Sequence, residues 1–243
     1  MHIDHPPINQ FSLKFYFLKI SDPTVYTLKE LTESLSETGY QEPPRIKLHS
    51  SKGPDPNILI GPLRFISEEE GNEILIFSDS IQFIFHEYSS FDEILPKILG
   101  IFYSLTEDLE IGLVNRITLS YIDIFDNFSQ NGFSIKSYFN IYLKYPEIYK
   151  LDYKDFVFGI RLETEEEFHI PIVRLRGRNP ENDENYLIQL ETIYNINEET
   201  EIRERERFEN SINYAHDCLV NIFKEVLTLK TKIKIGMDDG TNS

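Results

Sequence analysis

Closely spaced arginines are the most unusual candidate binding residues in this chain. Arg174, Arg176 and Arg178 alternate along one predicted strand, so Arg174 and Arg176 project from the same face of the sheet. Arg161 falls on another predicted strand, which we take as a candidate neighbour. Guanidinium groups are fork-shaped donors that match phosphate and carboxylate oxygens. One interpretation of this set is an anion or phosphate site.

A structural role is the favoured alternative for these arginines. The chain holds 41 Asp and Glu residues against 24 Lys and Arg, and opposite charges on neighbouring strands form cross-strand pairs. Acidic residues such as Glu163 or Glu191 are the candidate partners. Salt-bridged arginines would support the structural interpretation, whereas unpaired arginines that converge in a pocket would support a ligand site.

His216, Asp217 and Cys218 are residue types that bind metals or act as nucleophiles. They are consecutive in a strongly helical segment, where neighbouring side chains point about 100° apart. The three side chains cannot converge on one ion. The spacing favours a partly buried, structural His216, and we predict no metal site.

Arg116, Tyr121 and Asp123 lie on a single predicted strand. Because side chains alternate between the two faces of a strand, Arg116 shares a face with Ser120, and Tyr121 and Asp123 point the opposite way. One compact triad is excluded, and each residue alone is expected to pack or to pair. Arg116 is kept as a candidate ligand-binding residue, and Tyr121 and His216 as further candidates.

Motifs of the common enzyme classes are missing from the sequence. It holds no glycine-rich phosphate loop, no nucleophile elbow, no metal-binding His-Glu-x-x-His and no paired-cysteine zinc pattern. We therefore expect no cofactor, and the sequence leans away from an enzyme.

The elements that must position these residues follow one order twice. A strand opens each half, a short helix and antiparallel strands follow, and a helix closes it. The first short helix is expected to end at Gly39. The closing helices are marked by a capping box at Ser90 and Glu93 and by an apolar stripe from Phe208 to Val226.

This order predicts an α+β fold of two similar halves, each a sheet covered by helices. The opening strands share a local pattern, at Asn9 to Phe15 and at Asn115 to Tyr121, which is compatible with an internal duplication. The predicted boundaries are residues 1–110 for the first half, 111–236 for the second and 237–243 for a flexible tail.

The formal net charge of −17 repels nucleic-acid phosphates and anionic membranes. General nucleic-acid binding is therefore not expected, whereas a basic protein partner is compatible with this charge. The single cysteine, Cys218, cannot form an internal disulfide, and no apolar run approaches the roughly 18 residues of a membrane span. We expect a soluble, cytoplasmic protein.

Several short motifs, taken together, resemble a known family. They are Pro6-Pro7-Ile8, Arg64-Phe65-Ile66-Ser67 followed by Gly71, Tyr88 with Phe91, Arg116-Ile117-Thr118-Leu119-Ser120-Tyr121-Ile122-Asp123, and His216 with Phe223 and Thr228. The chain is similar to a sporadically distributed bacterial family of about this length whose function is uncharacterised. Gln10, Phe91, Ser120 and Asp123 depart from its pattern. The resemblance implies an architecture and an accessory role, not a reaction.

Two functions of different classes are consistent with these patterns. The first is a non-catalytic protein-interaction factor, antitoxin-like or defence-associated, that uses an acidic or sheet-edge surface; a homodimer is one expected arrangement. The second is a module, with or without enzymatic activity, that holds a phosphate-containing small molecule or an RNA end through the strand of Arg174 and Arg176.

Overall fold

A computed structural model of the protein describes residues 8–18, 32–33, 35–41, 63–67, 71–86, 88, 90–129, 138–140, 155–178 and 185–237. It describes the backbone alone at residues 126–129, 155–156, 178 and 185–186. The sequence also predicts a short strand near residues 45–49. These residues, and all but the first residue of the predicted tail, lie outside the described residues.

Eleven strands fall within the described residues. Those before the first long helix are β1 (Ile8–Tyr16), β2 (Tyr40–Gln41), β3 (Leu63–Ser67), β4 (Glu73–Ile76) and β5 (Ser80–Phe85). Those after it are β6 (Leu113–Val114), β7 (Arg116–Ser129), β8 (Asp155–Arg161), β9 (His169–Arg178), β10 (Asn185–Ile196) and β11 (Thr200–Glu201).

Nine of these strands form one sheet, in the order β2-β3-β4-β5-β1-β7-β10-β9-β8, and β11 pairs with β6 in a small second sheet. The neighbours from β2 to β1 pair antiparallel, as do β8, β9 and β10. The described part of the chain is therefore built mostly on antiparallel sheet.

The predicted α+β fold of two similar halves, each with its own helix-covered sheet, is wrong. Strands β1 and β7, which were expected to open separate sheets, are neighbours in a single sheet. Alternating apolar residues identify a strand, but both of its edges carry backbone donors and acceptors, so the pattern does not select the neighbour at either edge. Similar local order in the two parts of the sequence is therefore not evidence for two sheets.

The helices with described bounds are α1 (Phe91–Asp108), α2 (Arg205–Val226) and α3 (Leu229–Lys234). Residues 32–33 and 35–37 are also helical, and this turn ends at Gly39, whose φ of 86° suits glycine. Among the helices of the described residues, none combines the length and the apolar character needed to cross a bilayer.

Helix α1 begins where the capping box predicts. The side chain of Ser90 accepts a hydrogen bond from the backbone N–H of Glu93, at 3.3 Å, and so satisfies one of the first donors of the helix. Pro96 is tolerated within the helix and is exposed, whereas Ile98 and Phe102 lie on the fully buried face. The helix therefore packs along one apolar face.

The described residues form two compact units. One, which we call the β1 unit, lies within residues 10–118 and 197–210; the other, the β9 unit, comprises residues 8–9 and those within 119–196 and 211–243. Strand β7 and helix α2 each contribute residues to both units.

Three phenylalanine rings form the centre of the β1 unit. Phe102 of α1 stacks on Phe15 of β1 with ring centroids 4.0 Å apart, and Phe208 of α2 stacks on both, at 5.4 Å from Phe15 and 5.6 Å from Phe102. Each ring is fully buried. Offset stacking adds to the burial of apolar area, so this cluster fixes the start of α2 against the sheet.

The core of the β9 unit lies under the later turns of α2. Its buried members are Phe125, Phe139, Val173, Leu175, Ile188, Leu190, Phe223, Leu227, Ile235 and Met237. Ile212, Ala215 and Leu219 of α2 are buried as well, as the predicted apolar stripe requires. The opposite face of β9 and β10 carries the arginines that the sequence singled out.

Candidate functional site

Arg174 and Arg176 lie on the face of β9 that the core does not occupy. Val173 and Leu175, which alternate with them, are buried. In the register of the sheet, Arg174 is opposite Gly159 of β8, and Arg176 is opposite Val157. On the other side, β10 places Glu191 opposite Arg174 and Gln189 opposite Arg176.

Arg161 shares this face. It is opposite Ile172, two residues before Arg174 on β9, and residues two apart along a strand point to the same side. Strand β8 therefore brings Arg161 diagonally next to Arg174. At Arg178 the structure describes the backbone only, opposite residue 155 of β8 and Leu187 of β10.

The arginines of this face do not share one environment. Nη1 of Arg174 lies 3.3 Å from a carboxylate oxygen of Glu191, and the side chain of Arg174 remains 43% exposed. Among the described residues, neither Arg161 nor Arg176 forms an ion pair, and both are exposed. The set is thus one cross-strand pair beside two solvent-facing cations on an open sheet surface.

Strand β8 is the outermost strand of the sheet on this side. It runs for seven residues, Asp155–Arg161, without a proline or lysine, and among the described strands it pairs only with β9. Val157 is 75% exposed, and Gly159 and Arg161 are exposed too. An outer strand of this kind presents unpaired backbone donors and acceptors to another chain.

Arg116 has a different neighbour. Its guanidinium carbon lies 3.6 Å from the ring centroid of Tyr16, which is a cation–π geometry. Nε of Arg116 is buried and has no hydrogen-bond partner in the described part of the chain. Lys14 lies over the rings of Tyr16 and Phe77, at 4.7 and 4.4 Å. These contacts assign Arg116 to a stack of cations and aromatic rings within the β1 unit.

Tyr121 and His216 form a hydrogen-bonded pair. The Tyr121 hydroxyl lies 2.7 Å from Nδ1 of His216. Asp123, two residues along β7, is fully buried, and neither of its carboxylate oxygens has a hydrogen-bond partner among the described residues. Burial raises the pKa of the Asp123 carboxyl to about 8, so this group is mostly protonated at neutral pH.

A second polar network in the β9 unit was not predicted from the sequence. Nδ1 of His169 lies 3.0 Å from the hydroxyl of Tyr194, and the rings of Tyr194 and Tyr214 meet edge to face with centroids 6.3 Å apart. Burial raises the pKa of Tyr194, and interaction with the Cys218 thiol raises the pKa of Tyr214. The phenols therefore stay protonated across the physiological range.

One sequence signal for this network was present. Tyr214 and Cys218 are four residues apart, so they lie on the same side of α2. Their partners on β9 and β10 depend on a register that the sequence does not contain. Cys218 thus contacts tyrosines and not its neighbours His216 and Asp217, in line with their divergent directions on a helix.

Neither network has the composition of a metal site. Within the ranges that the structure describes, no group of three or more His, Cys, Asp or Glu side chains is placed to hold a metal ion. The imidazoles of His216 and His169 are engaged by Tyr121 and Tyr194, and the raised pKa of Tyr194 keeps its hydroxyl protonated, so that it is a poor general base. These contacts hold α2 on the sheet.

A cavity of about 670 Å³ opens in the β1 unit between α1 and the strands β2, β3 and β5. Apolar side chains of Leu35, Phe85 and Leu105 line it, together with Lys97 and Ser104. None of the candidate residues from the sequence lines this cavity.

Comparison with protein-family models and with curated proteins finds no match for this chain. The interpretation of the site therefore depends on its geometry.

Proposed function

We propose that the protein is a non-catalytic, cytoplasmic protein-interaction factor that binds an extended segment of its partner along the outer edge of β8. The observation that carries this proposal is the long outer strand, whose Val157 is 75% exposed. Backbone hydrogen bonds of an added strand would supply affinity, and the side chains of the open face would supply specificity. The accessory, antitoxin-like or defence-associated role implied by the family resemblance is part of the same proposal.

The arginines of the open face give the bound segment a chemical preference. Arg161 is the last residue of β8 and Arg176 lies opposite Val157 on the neighbouring β9, and neither has an ion-pair partner among the described residues. Carboxylates of an added strand would meet them at cross-strand distances.

The experiment compares two substitutions at one exposed position. Val157→Lys places a charge in the edge, and Val157→Thr keeps a β-branched side chain. Tagged full-length protein of each kind is used to capture partners from an extract of the organism that encodes it, near physiological salt. We expect the threonine variant to retain a partner that the lysine variant loses. Capture of no protein, or equal capture by both variants, would contradict the proposal.

The second candidate function is binding of a phosphate-containing small molecule or an RNA end. It is favoured by the two cations of the open face that lack an ion pair in the described residues. Its test is the double substitution Arg161→Ala and Arg176→Ala, which removes both of these cations, with Arg203→Ala as the control. Binding to a panel of nucleotides and 5′-phosphorylated RNA is measured by calorimetry, and unchanged binding in the double variant would eliminate this candidate.

A further inference from the structure

Strand β8 is complementary to a second copy of itself. Its sequence is Asp155-Phe156-Val157-Phe158-Gly159-Ile160-Arg161. An antiparallel pairing centred on Phe158 places residue 155, an aspartate, opposite Arg161 of the second copy, and does so twice. Opposite charges facing each other across antiparallel strands stabilise the pairing.

The same register matches the sizes of the remaining side chains. It places Val157 opposite Gly159 of the second copy, so that the most exposed apolar side chain of β8 meets a residue with no side chain. Gly159 has room for this neighbour, because a side chain added there would touch only Arg174 and the backbone of Val173, at 3.7 and 3.9 Å. Phe158 faces its own counterpart, and residue 156 faces Ile160.

Strand β9, the neighbour of β8 in the sheet, leaves the outer edge of β8 as the place for this contact. Strand β9 occupies the inner edge along the whole length of β8, from Asp155 opposite Arg178 to Arg161 opposite Ile172. The outer edge is free of any other described strand. An isologous contact uses the same patch on both copies, so the assembly is complete with two copies.

We propose that the occupant of the β8 edge is a second copy of this chain, paired antiparallel about Phe158 in a two-fold symmetric dimer. This inference depends on the proposed function, since both use the same edge, and it names the partner. The dimer joins two sheets through β8, and each Arg161 meets an aspartate of the other copy.

Charge reversal tests both the contact and its register. Asp155→Arg faces Arg161 with arginine, and Arg161→Asp faces Asp155 with aspartate, so each single variant has two like-charge pairs between the copies. Arg161→Asp is the cleaner variant, because residue 155 is also opposite Arg178 of its own copy. The double variant restores two opposite-charge pairs only in the proposed register. By sedimentation velocity at low salt, we expect dimers for the wild type and the double variant. For each single variant we expect the affinity between the two copies to be weaker by about tenfold or more.

Matched charge changes away from β8 control for net charge. Glu167→Arg and Arg203→Asp alter charge by the same amounts at exposed positions, and both are expected to stay dimeric. Circular dichroism of the two single variants shows whether they fold. In a Cys218→Ser background, the substitutions Val157→Cys and Gly159→Cys in one chain are expected to form disulfides between copies, seen as twice the 28.6 kDa mass on a non-reducing gel.

Three outcomes would overturn the inference. They are a monomeric wild type at every concentration, a dimer that all the charge variants keep, and a double variant that fails to restore the dimer. None of them affects the capture experiment with Val157→Lys and Val157→Thr. A monomer whose partner is lost in the lysine variant would therefore reject the second copy as occupant while leaving the proposed function in place.

Discussion

The hydroxyl of Tyr121 and Nδ1 of His216 lie 2.7 Å apart, which joins the middle of β7 to α2 within the β9 unit. Their rings are tilted by 55° to each other, with centroids 5.9 Å apart. The two residues are 95 positions apart in the sequence. This side-chain contact therefore joins the last long helix to a central strand of the sheet.

This contact is expected to contribute measurable stability. Tyr121→Phe removes the hydroxyl and leaves one nitrogen of His216 without its partner, at a cost of about 1–2 kcal/mol. A double-mutant cycle with His216→Phe separates the pair from other interactions of either residue. We expect a coupling energy of about 1 kcal/mol in urea unfolding. Strictly additive effects would show that the contact is energetically neutral.

Asp123 is expected to make stability depend on pH in an unusual direction. Its pKa rises from 3.8 to about 8 on folding, so the folded chain retains a proton that the unfolded chain releases. The free energy of unfolding therefore falls as the pH rises from about 4 to about 8, by up to about 1.4 kcal/mol per pH unit. The loss of stability caused by Asp123 is absent below pH 4 and complete above pH 8.

Asp123→Asn removes this titration with little change of shape. We expect its melting temperature to match that of the wild type near pH 4 and to exceed it progressively towards pH 8. Asp217→Asn, at an exposed position of α2, is the control and should follow the wild-type profile. Parallel profiles for Asp123→Asn and the wild type would refute the predicted titration.

Two glycines with open surroundings are expected to respond to alanine in opposite ways. Gly39 has a φ of 86°, and an added Cβ meets nothing within 4 Å at either Gly39 or Gly100. Gly39→Ala should lower the free energy of unfolding by about 1 kcal/mol, because the left-handed backbone disfavours a Cβ. Gly100→Ala, inside α1, should raise it by up to about 1 kcal/mol. Thermal melts of the two variants provide the comparison.

Local chemistry made some of this structure predictable. The Ser90 cap, the glycine end at Gly39 and the apolar stripe of α2 each depend on residues within a few positions of one another. The alternation along β7 also placed Tyr121 and Asp123 on one face. These features need no knowledge of which elements become neighbours.

The pairing of strands that are distant in the chain could not be predicted from the sequence. No pattern indicated that β1 and β7 would lie side by side, and the prediction of two sheets failed for that reason. The network of Tyr194 with Cys218 likewise needs the position of α2 over β10. The complete burial of Asp123 could not be foreseen, because alternation assigns a face but not what covers it.

Strand β8 closes one side of the nine-stranded sheet with a backbone edge seven residues long. Long exposed edges are the places where sheets of separate molecules add to one another and aggregate. A two-fold contact uses the same edge on both copies. Pairing through β8 would therefore also remove this edge from sheet-to-sheet aggregation.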